Sequence, residues 1–281
     1  ALAGLEIEGR LHLHVHMPVF ADWFERVLET GLLAGAGSPL LRFHGIKLLV
    51  DGSIQAYTAA VSEGYHSRPE TRPAPIIPQE ELENAVFKAH SAGQQAVIHG
   101  NGNGAVEAAV RAVEKAQARC PRRDPRHLIH CQMASDEQLA RMKAVGLWPS
   151  FFGLHVWNWG DRHHDIFLGP ERAARIDPCG GAARLGLPFS LHADTPVLPQ
   201  MTMQSIHTAV NRRTRAACWA RTSACVFWTP CAPTPPMRRP CASRKTGEAA
   251  SNPASWPTSP FWMPTRAPLR RKTSTKSTSS P

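Results

Sequence analysis

The sequence predicts an α/β fold in which parallel strands alternate with helices. Apolar runs of strand length alternate with amphipathic stretches of helical length over residues 1–214. Four of these runs carry, at or near their ends, a residue that can bind or serve a metal: Lys47, His99, His130 and Asp194. Because the carboxyl ends of parallel strands meet at one rim, where active sites lie, this series predicts one shared site.

Local patterns define the individual elements. The predicted strands are Leu11–Val15, Gly45–Val50, Gln95–His99, His127–Cys131, Leu147–Phe152 and Pro188–His192. The predicted helices are Asp22–Thr30, Pro78–Ala92, Asn103–Ala118, Ser135–Val145 and Glu171–Arg175. Ser135 and Gln138 have the spacing of a capping box, and Gly146 supplies a stop. The polar, Pro-containing stretch 52–77 is long enough for a functional loop.

The positive charge of the chain is concentrated at its end. The net charge is +10, and residues 215–281 hold 11 Lys and Arg but one acidic residue, Glu248. Subtracting these from the totals of 32 and 22 leaves 21 basic and 21 acidic side chains in residues 1–214. We therefore predict a neutral domain, 1–214, and a Pro-, Arg-, Ser- and Thr-rich tail, 215–281, that is disordered or non-native.

Two further classes of protein are disfavoured. No apolar stretch approaches the roughly 20 residues that cross a bilayer, and nothing at the N-terminus resembles a signal peptide. Cys120, Cys131 and Cys179 lack zinc-finger spacing. A cytoplasmic protein without a membrane partner is predicted.

The two strand-end histidines are candidate metal ligands. His99 and His130 are 31 residues apart, about one βα unit. Neutral imidazoles suit zinc or a similar divalent metal. A single histidine in such a position is more often structural, so the pair carries the prediction.

Lys47 and Asp194 each have two interpretations. Lys47 is costly to bury alone, so it either pairs with Asp51 or Glu63 or is carbamylated and bridges metals. Asp194 either caps the next helix or takes the proton of a metal-held water as a general base.

Three other motifs are ambiguous. His12, His14 and His16 are either a metal cluster or the polar face of an edge strand. The turn Asn101-Gly102-Asn103-Gly104 is either a phosphate cradle or a tight βα turn. The stretch 155–164, which holds His155, Trp157, Trp159, His163 and His164, is either the lip of a substrate pocket or a packed surface loop.

Several segments together resemble the amidohydrolase superfamily, specifically its amidohydrolase 3 (YtcJ-like) branch, which includes N-substituted formamide deformylases. The matching segments are 45–53 (GIKLLVDGS), 96–106 (AVIHGNGNGAV), 126–132 (RHLIHCQ), 155–161 (HVWNWGD), 168–174 (LGPERAA) and 192–197 (HADTPV). The resemblance covers about residues 1–214.

The resemblance implies a fold, a cofactor and a set of roles. The fold would be a partial (β/α)₈ TIM-like barrel. Lys47 would be the carbamylated bridging lysine, and His99 and His130 the metal-binding pair. Asp194 would be both a metal ligand and the catalytic base. The substrate-binding residues would be His155, Trp157 and His192. The cofactor would be one or two divalent metal ions, with zinc preferred.

The sequence departs from the family pattern at both ends. The first-strand HxH motif of the family lies upstream of a region resembling 1–45, so His12, His14 and His16 match a later strand without ligands. The resemblance stops at Thr214. Translating Glu248–Arg266 from two nucleotides later with GC-rich codons can give SGVEPGKLADFAVLDADP, which is similar to the closing signature of the family. We hypothesise that the tail is out of frame.

The predicted function is hydrolysis of a carbon–nitrogen bond in a small amide- or formamide-like substrate, with activity in doubt for a fragment lacking the HxH motif. No specific nucleic-acid partner is predicted. The alternative is a binding protein for nucleic acid or an anionic surface, which would use the basic tail without catalysis. A third hypothesis is a gene fragment with neither property.

Overall fold

A computed structural model describes residues 2–30, 37–123 and 126–215, and their centre is a parallel sheet of six strands. The strands are β1 (Val15–Phe20), β2 (Leu41–Leu49), β3 (Ala96–Gly100), β4 (Arg126–His130), β5 (Leu147–Phe151) and β6 (Ser190–Leu191). They lie in chain order, and every neighbouring pair is parallel. The prediction of an α/β fold with a partial (β/α)₈ TIM-like barrel is therefore confirmed.

Helices connect the strands. They are α1 (Leu2–Ile7), α2 (Phe24–Glu29), α3 (Gln79–Ser91), α4 (Asn103–Arg119), α5 (Asp136–Val145), α6 (Leu154–Arg162), α7 (Gly169–Ala173), α8 (Cys179–Leu185) and α9 (Thr202–Asn211). A 3₁₀ turn, Ala21–Trp23, precedes α2, and a π-helix, His163–Phe167, continues α6. No helix in the described part of the chain is both long and apolar enough to cross a membrane.

The predicted capping box forms at the start of α5. Ser135 Oγ accepts from the Gln138 amide at 3.1 Å, and Gln138 Oε1 accepts from the Ser135 amide at 3.0 Å. Gly146 follows the helix with φ of 70°, a left-handed conformation that costs glycine little. These local signals place α5 and the start of β5 where the sequence predicts them.

The two faces of the sheet are covered unequally. Helices α3, α4 and α5 bury the outer face, where Ile98 and Leu128 are fully enclosed. The opposite face, which we call the inner face, is more open: Phe20 and Leu49 are 55% and 38% exposed. Within the described residues β1 pairs only with β2 and β6 only with β5, so the sheet has two open edges.

Residues 52–77 form a long loop after β2 that packs onto the segment following β5. Its Ile54 and Tyr65 belong to a separate buried cluster with Phe167 and Ile176. The amide of His66 donates to the carbonyl of Phe167 at 2.8 Å. Both segments follow carboxyl ends of strands, so they hold each other above the rim.

The structure corrects two strand predictions. The strand predicted at Leu11–Val15 is wrong, since β1 begins at Val15 and pairs with β2. Pro18 is tolerated because β1 is an edge strand whose pairing shifts between Met17 and Val19. The strand predicted at Pro188–His192 shortens to two residues.

Other predictions differ in extent. The helix predicted at Glu171–Arg175 is observed as α7, Gly169–Ala173. The sequence analysis predicts none of helices α1, α6, α8 and α9. The predicted tail, apart from Arg215, lies outside the described residues.

Candidate metal centre at the sheet rim

Lys47 and His99 lie on the inner face of neighbouring strands. Lys47 pairs in register with Val97, and Leu49 pairs with His99, so alternation places Lys47 and His99 on one face. Burial lowers the pKa of Lys47 to about 8, and the negative charge of Asp194 opposes this shift. A substantial fraction of the Lys47 amine is therefore neutral at mildly alkaline pH.

The orientation of His99 is fixed by the backbone of the neighbouring loop. His99 Nε2 lies 3.1 Å from the carbonyl oxygen of Gly52, which also accepts from Asn101 Nδ2 at 2.8 Å. Since a carbonyl only accepts, the Gly52 contact calls for a proton on Nε2 and a lone pair on Nδ1, although the donor Asn101 Nδ2 also lies 3.3 Å from Nε2. Burial lowers the pKa of His99. A neutral imidazole that donates its other N–H to a carbonyl is the usual state of a metal-binding histidine.

His130 reaches the inner face through an unusual backbone conformation. Its register partner is Gly100, the neighbour of His99, so a regular strand would point the His130 side chain to the outer face. Its φ is +69°, and that of Cys131 is +48°. The turn brings the His130 ring to 4.5 Å from that of His99, measured between centroids.

Asp194 follows β6 and is exposed, also with a positive φ, of 52°. Its negative charge raises the pKa of Lys47, His99, His155 and His192, in each case against a larger lowering by burial. The helix-cap alternative is wrong, because the next helix, α9, has Met201 as its N-cap.

His192 and His155 line the same site. His192 Nε2 is 3.2 Å from His130 Nδ1, and the His155 ring is 5.8 Å from that of His130. Burial lowers the pKa of His155 to about 3 and that of His192 to about 4. His155 Nδ1 is 3.6 Å from Oδ2 of the buried Asp177, just beyond hydrogen-bond range.

The aromatic wall of the site is helical, which corrects the predicted loop. Trp157 is half-buried in α6 and packs against the small cluster of Phe152, Leu154 and Ala193, beside Asp194. His163 begins the π-helix with no exposed surface, so it is not at a pocket lip. His164 is half-buried and contacts Asp165.

Asp51, which the sequence suggests only as a possible partner of Lys47, is a structural residue of the site. Its carboxylate accepts from the amides of Ala60, Asn101 and Gly102 at 2.9, 2.9 and 2.8 Å. Burial raises its pKa, while these three donors oppose the rise. Asp51 therefore ties the long loop to the end of β3, and this use of its oxygens contradicts the predicted pairing with Lys47. The only sequence feature that could have indicated this role is the position of the Asp51 carboxylate directly after an apolar strand.

Two sequence motifs are absent from the site. His12 and His14 precede β1, and His16 is the second residue of that strand. His14 Nδ1 contacts the carbonyl of Pro39 at 3.0 Å. These three histidines lie at the amino end of the strand, opposite the rim.

The glycine-rich turn is a βα turn and not a phosphate cradle. The amide of Gly102 donates to the Asp51 carboxylate and the amide of Gly104 donates to the Ala60 carbonyl, so neither N–H group is available to a phosphate.

The side chains at the rim supply some, but not all, of the ligand atoms that a metal ion needs. Among the described residues no three His, Cys, Asp or Glu side chains are arranged to hold an ion by themselves. His99 and His130 are neutral and adjacent, and Lys47 adds a third donor only as a carbamate. These three, together with the Asp194 carboxylate, are the residues that could hold a metal here.

The chain is similar to one protein family and to two proteins of known sequence. The model of the amidohydrolase family (Amidohydro_3) matches residues 1–231. The Bacillus subtilis (strain 168) protein named "Putative amidohydrolase YtcJ" is 28% identical over 217 residues, which cover 76% of this chain and 38% of that protein. Protein LONG AFTER FAR-RED 3 of Arabidopsis thaliana is 28% identical over 192 residues, covering 67% of this chain and 33% of that protein.

Two solved structures have the same fold over the same part. An uncharacterized metal-dependent hydrolase from Pyrococcus furiosus superimposes with a TM-score of 0.67 at 28% identity, over 76% of this chain and 43% of that one. Its counterpart from Pyrococcus horikoshii OT3 gives 0.65 at 28% identity, over 75% and 42%. The chain thus spans less than half the length of these relatives. The family match covers most of the chain, and the chain belongs to the amidohydrolase family.

Proposed function

We propose that this chain carries the rim of a metal-dependent hydrolase that cleaves carbon–nitrogen bonds in small amide- or formamide-like substrates. The observation that supports this most is the convergence of Lys47, His99, His130 and Asp194 from the ends of four different strands. The two similar Pyrococcus proteins are described as metal-dependent hydrolases, which agrees with this proposal.

His99 and His130 would hold a divalent metal, and their imidazole chemistry favours zinc, as one or two ions. Such a metal would supply a Lewis acid for the substrate carbonyl and lower the pKa of a water. Lys47 would join it as a carbamate: the neutral amine nitrogen attacks carbon dioxide and loses a proton, which yields an anionic oxygen donor. The lowered pKa of Lys47, about 8, makes the neutral amine accessible.

Asp194 would be the general base, accepting a proton from the attacking water and passing it to the leaving nitrogen. His155, as a neutral ring, would form a hydrogen bond with the substrate amide, and His192, whose two ring nitrogens contact Ser150 and His130, would line the site beside it. Trp157 would close the apolar side of the site.

Metal titration of the chelator-stripped chain tests this function before any substrate is known. We expect Zn²⁺ to bind with defined stoichiometry, and His99→Ala or His130→Ala to weaken binding by about tenfold or more. His12→Ala is the matched control, since His12 is an exposed histidine away from the rim. Failure of the wild-type chain to bind, or equal binding by all variants, contradicts the proposed site.

Bond specificity needs a separate assay. The loaded chain is incubated with N-substituted formamides, simple amides and carboxylic esters of matched size, and release of amine or alcohol is followed. Turnover of the formamides or amides that is lost in Asp194→Asn supports C–N hydrolysis. Turnover of esters alone contradicts it.

A further inference from the structure

A chain of hydrogen bonds runs from the sheet edge to His130. Ser190 Oγ donates to Ser150 Oγ at 2.8 Å, and Ser150 Oγ lies 3.2 Å from His192 Nδ1. His192 Nε2 lies 3.2 Å from His130 Nδ1. The two serines are register partners on β5 and β6, so the sheet itself sets their spacing. The backbone amide of His192 is fixed too, since it donates to the Phe151 carbonyl at 3.0 Å.

With both rings neutral, two proton arrangements satisfy this chain. His130 and His192 are in contact, and like charges at this distance disfavour two imidazolium ions. Two neutral rings carry one N–H each, so one ring donates and the other accepts. Either His130 Nδ1 donates to His192 Nε2 and His192 Nδ1 donates to Ser150, or both bonds run in the opposite direction.

The two arrangements differ in whether His130 Nε2 carries a proton or a lone pair. His130 Nδ1 is occupied by His192, which leaves Nε2 as its ligand atom. When His130 donates from Nδ1, Nε2 carries a lone pair and can bind a metal. When His192 donates to His130, Nε2 carries the proton and cannot. The Ser150 hydroxyl can accept the proton of His192 Nδ1 or donate its own proton to that nitrogen, so it fits both arrangements, and a metal at His130 Nε2 would select the first.

We propose that Ser150 and Ser190 are positioning residues of the metal centre: they fix the ring of His192 and offer an acceptor for its Nδ1 proton, so that His192 can accept from His130 and leave the His130 Nε2 lone pair for a metal. The inference rests on the proposed function, since it assigns the role of His130 as a ligand. Neither serine touches the ligand atoms, so both act through His192.

The test combines Ser150→Ala, Ser150→Thr and Ser190→Ala with Ser91→Ala as control, a half-buried serine on α3 remote from the rim. The readouts are Zn²⁺ affinity of the stripped chain, two-bond ¹⁵N–¹H NMR of the histidine rings, and thermal unfolding. We expect Ser150→Ala to weaken Zn²⁺ binding about 10- to 100-fold, as loss of an outer hydrogen-bond partner does. Ser150→Thr restores binding, Ser190→Ala has a smaller effect in the same direction, and Ser91→Ala resembles the wild type.

The NMR result separates this inference from the proposed function. The spectrum of the zinc-loaded wild type should show His192 and His130 both protonated at Nδ1. Ser150→Ala should show a changed His192 tautomer and an unchanged melting temperature. Protonation of His192 at Nε2 in the zinc-loaded wild type, or wild-type affinity in Ser150→Ala, overturns the inference. If the wild type binds no metal, the proposed function fails, and the inference then fails with it as a statement about ligands, whatever the spectrum shows.

Discussion

His130 lies beside His99, with ring centroids 4.5 Å apart, because its backbone leaves the strand conformation. A regular continuation of β4 would place the two side chains on opposite faces of the sheet. The φ of +69° at His130 reverses this, and such a conformation is costly for a residue with a Cβ. Strain at a position that completes a site is typical of functional residues.

The strain at His130 can be measured with two substitutions. His130→Ala and His130→Gly both remove the imidazole, but only glycine adopts φ of +69° freely. We expect His130→Gly to exceed His130→Ala in free energy of unfolding by about 1 kcal/mol. Chemical denaturation measures the difference. Equal stabilities would mean that the backbone relaxes to a negative φ when the ring is absent.

Lys47 should react reversibly with carbon dioxide. Only the neutral amine reacts, and with a pKa of about 8 the neutral fraction falls about tenfold for each pH unit below that value. Incubation with ¹³C-bicarbonate at pH 8.5 should give a carbamate ¹³C NMR signal that fades toward pH 6. Lys47→Met should abolish the signal, whereas Lys115→Met, which removes an exposed lysine, should leave it. A signal that persists in Lys47→Met would assign the modification elsewhere.

Asp51→Asn should destabilise the rim. An amide side chain keeps one acceptor oxygen and turns its NH₂ group toward at least one backbone N–H that now donates to Asp51. Leaving buried donors unpaired costs about 1–3 kcal/mol. Urea unfolding measures the loss, with Asp22→Asn as an exposed control expected within about 0.5 kcal/mol of wild type. A loss no larger than that of the control would show that water replaces the carboxylate.

The fold and part of the site could be predicted from the sequence because their signals are local. The capping box of α5 depends on residues three positions apart, and each strand end carries its candidate ligand within one apolar run. The backbone amides that donate to Asp51 are 9, 50 and 51 residues away in the sequence, so no local pattern predicts that its carboxylate binds them. Whether Asp51 paired with Lys47 or with backbone amides depended on how the loop folds back.

Other features depend on tertiary packing. Residues 154–167 are rich in Trp and His, which have little helical preference, and they become α6 and the π-helix by packing against the long loop. The side on which His130 emerges depends on a single dihedral angle. The positions of Lys47, His99, His130 and Asp194 at one rim agree with the sequence expectation, while their roles remain predictions.

Gly102→Ala tests how closely the long loop approaches β3. A Cβ at Gly102 would lie 2.1 Å from the carbonyl oxygen of Ala60, a backbone atom that cannot move alone. We expect a loss of about 2 kcal/mol or more in the free energy of unfolding, together with weaker metal binding through His99. Gly4→Ala is the control, because a Cβ there meets nothing within 4 Å in α1. That substitution should be neutral or stabilise by up to about 1 kcal/mol.

His163 should be replaceable by phenylalanine. It is fully buried between His155 and Phe167, and neither ring nitrogen has a hydrogen-bond partner among the described residues. Replacing an unsatisfied polar ring by an apolar one of similar shape is nearly neutral or stabilising. Thermal unfolding of His163→Phe at pH 7 should therefore match or exceed the wild type, and zinc affinity should not change. Loss of zinc binding would instead make His163 part of the site.

The same variant should change the acid stability of the chain. Burial holds the pKa of His163 well below its ordinary 6.5, so the ring stays neutral in the folded state and gains a proton on unfolding. The unfolded state then binds more protons below pH 6.5, and this histidine lowers stability as the pH falls. One such proton contributes a slope of about 1.4 kcal/mol per pH unit. The stability of His163→Phe should fall less steeply than that of the wild type between pH 6.5 and 5, by about this amount. Parallel curves would mean that His163 is protonated in the folded protein.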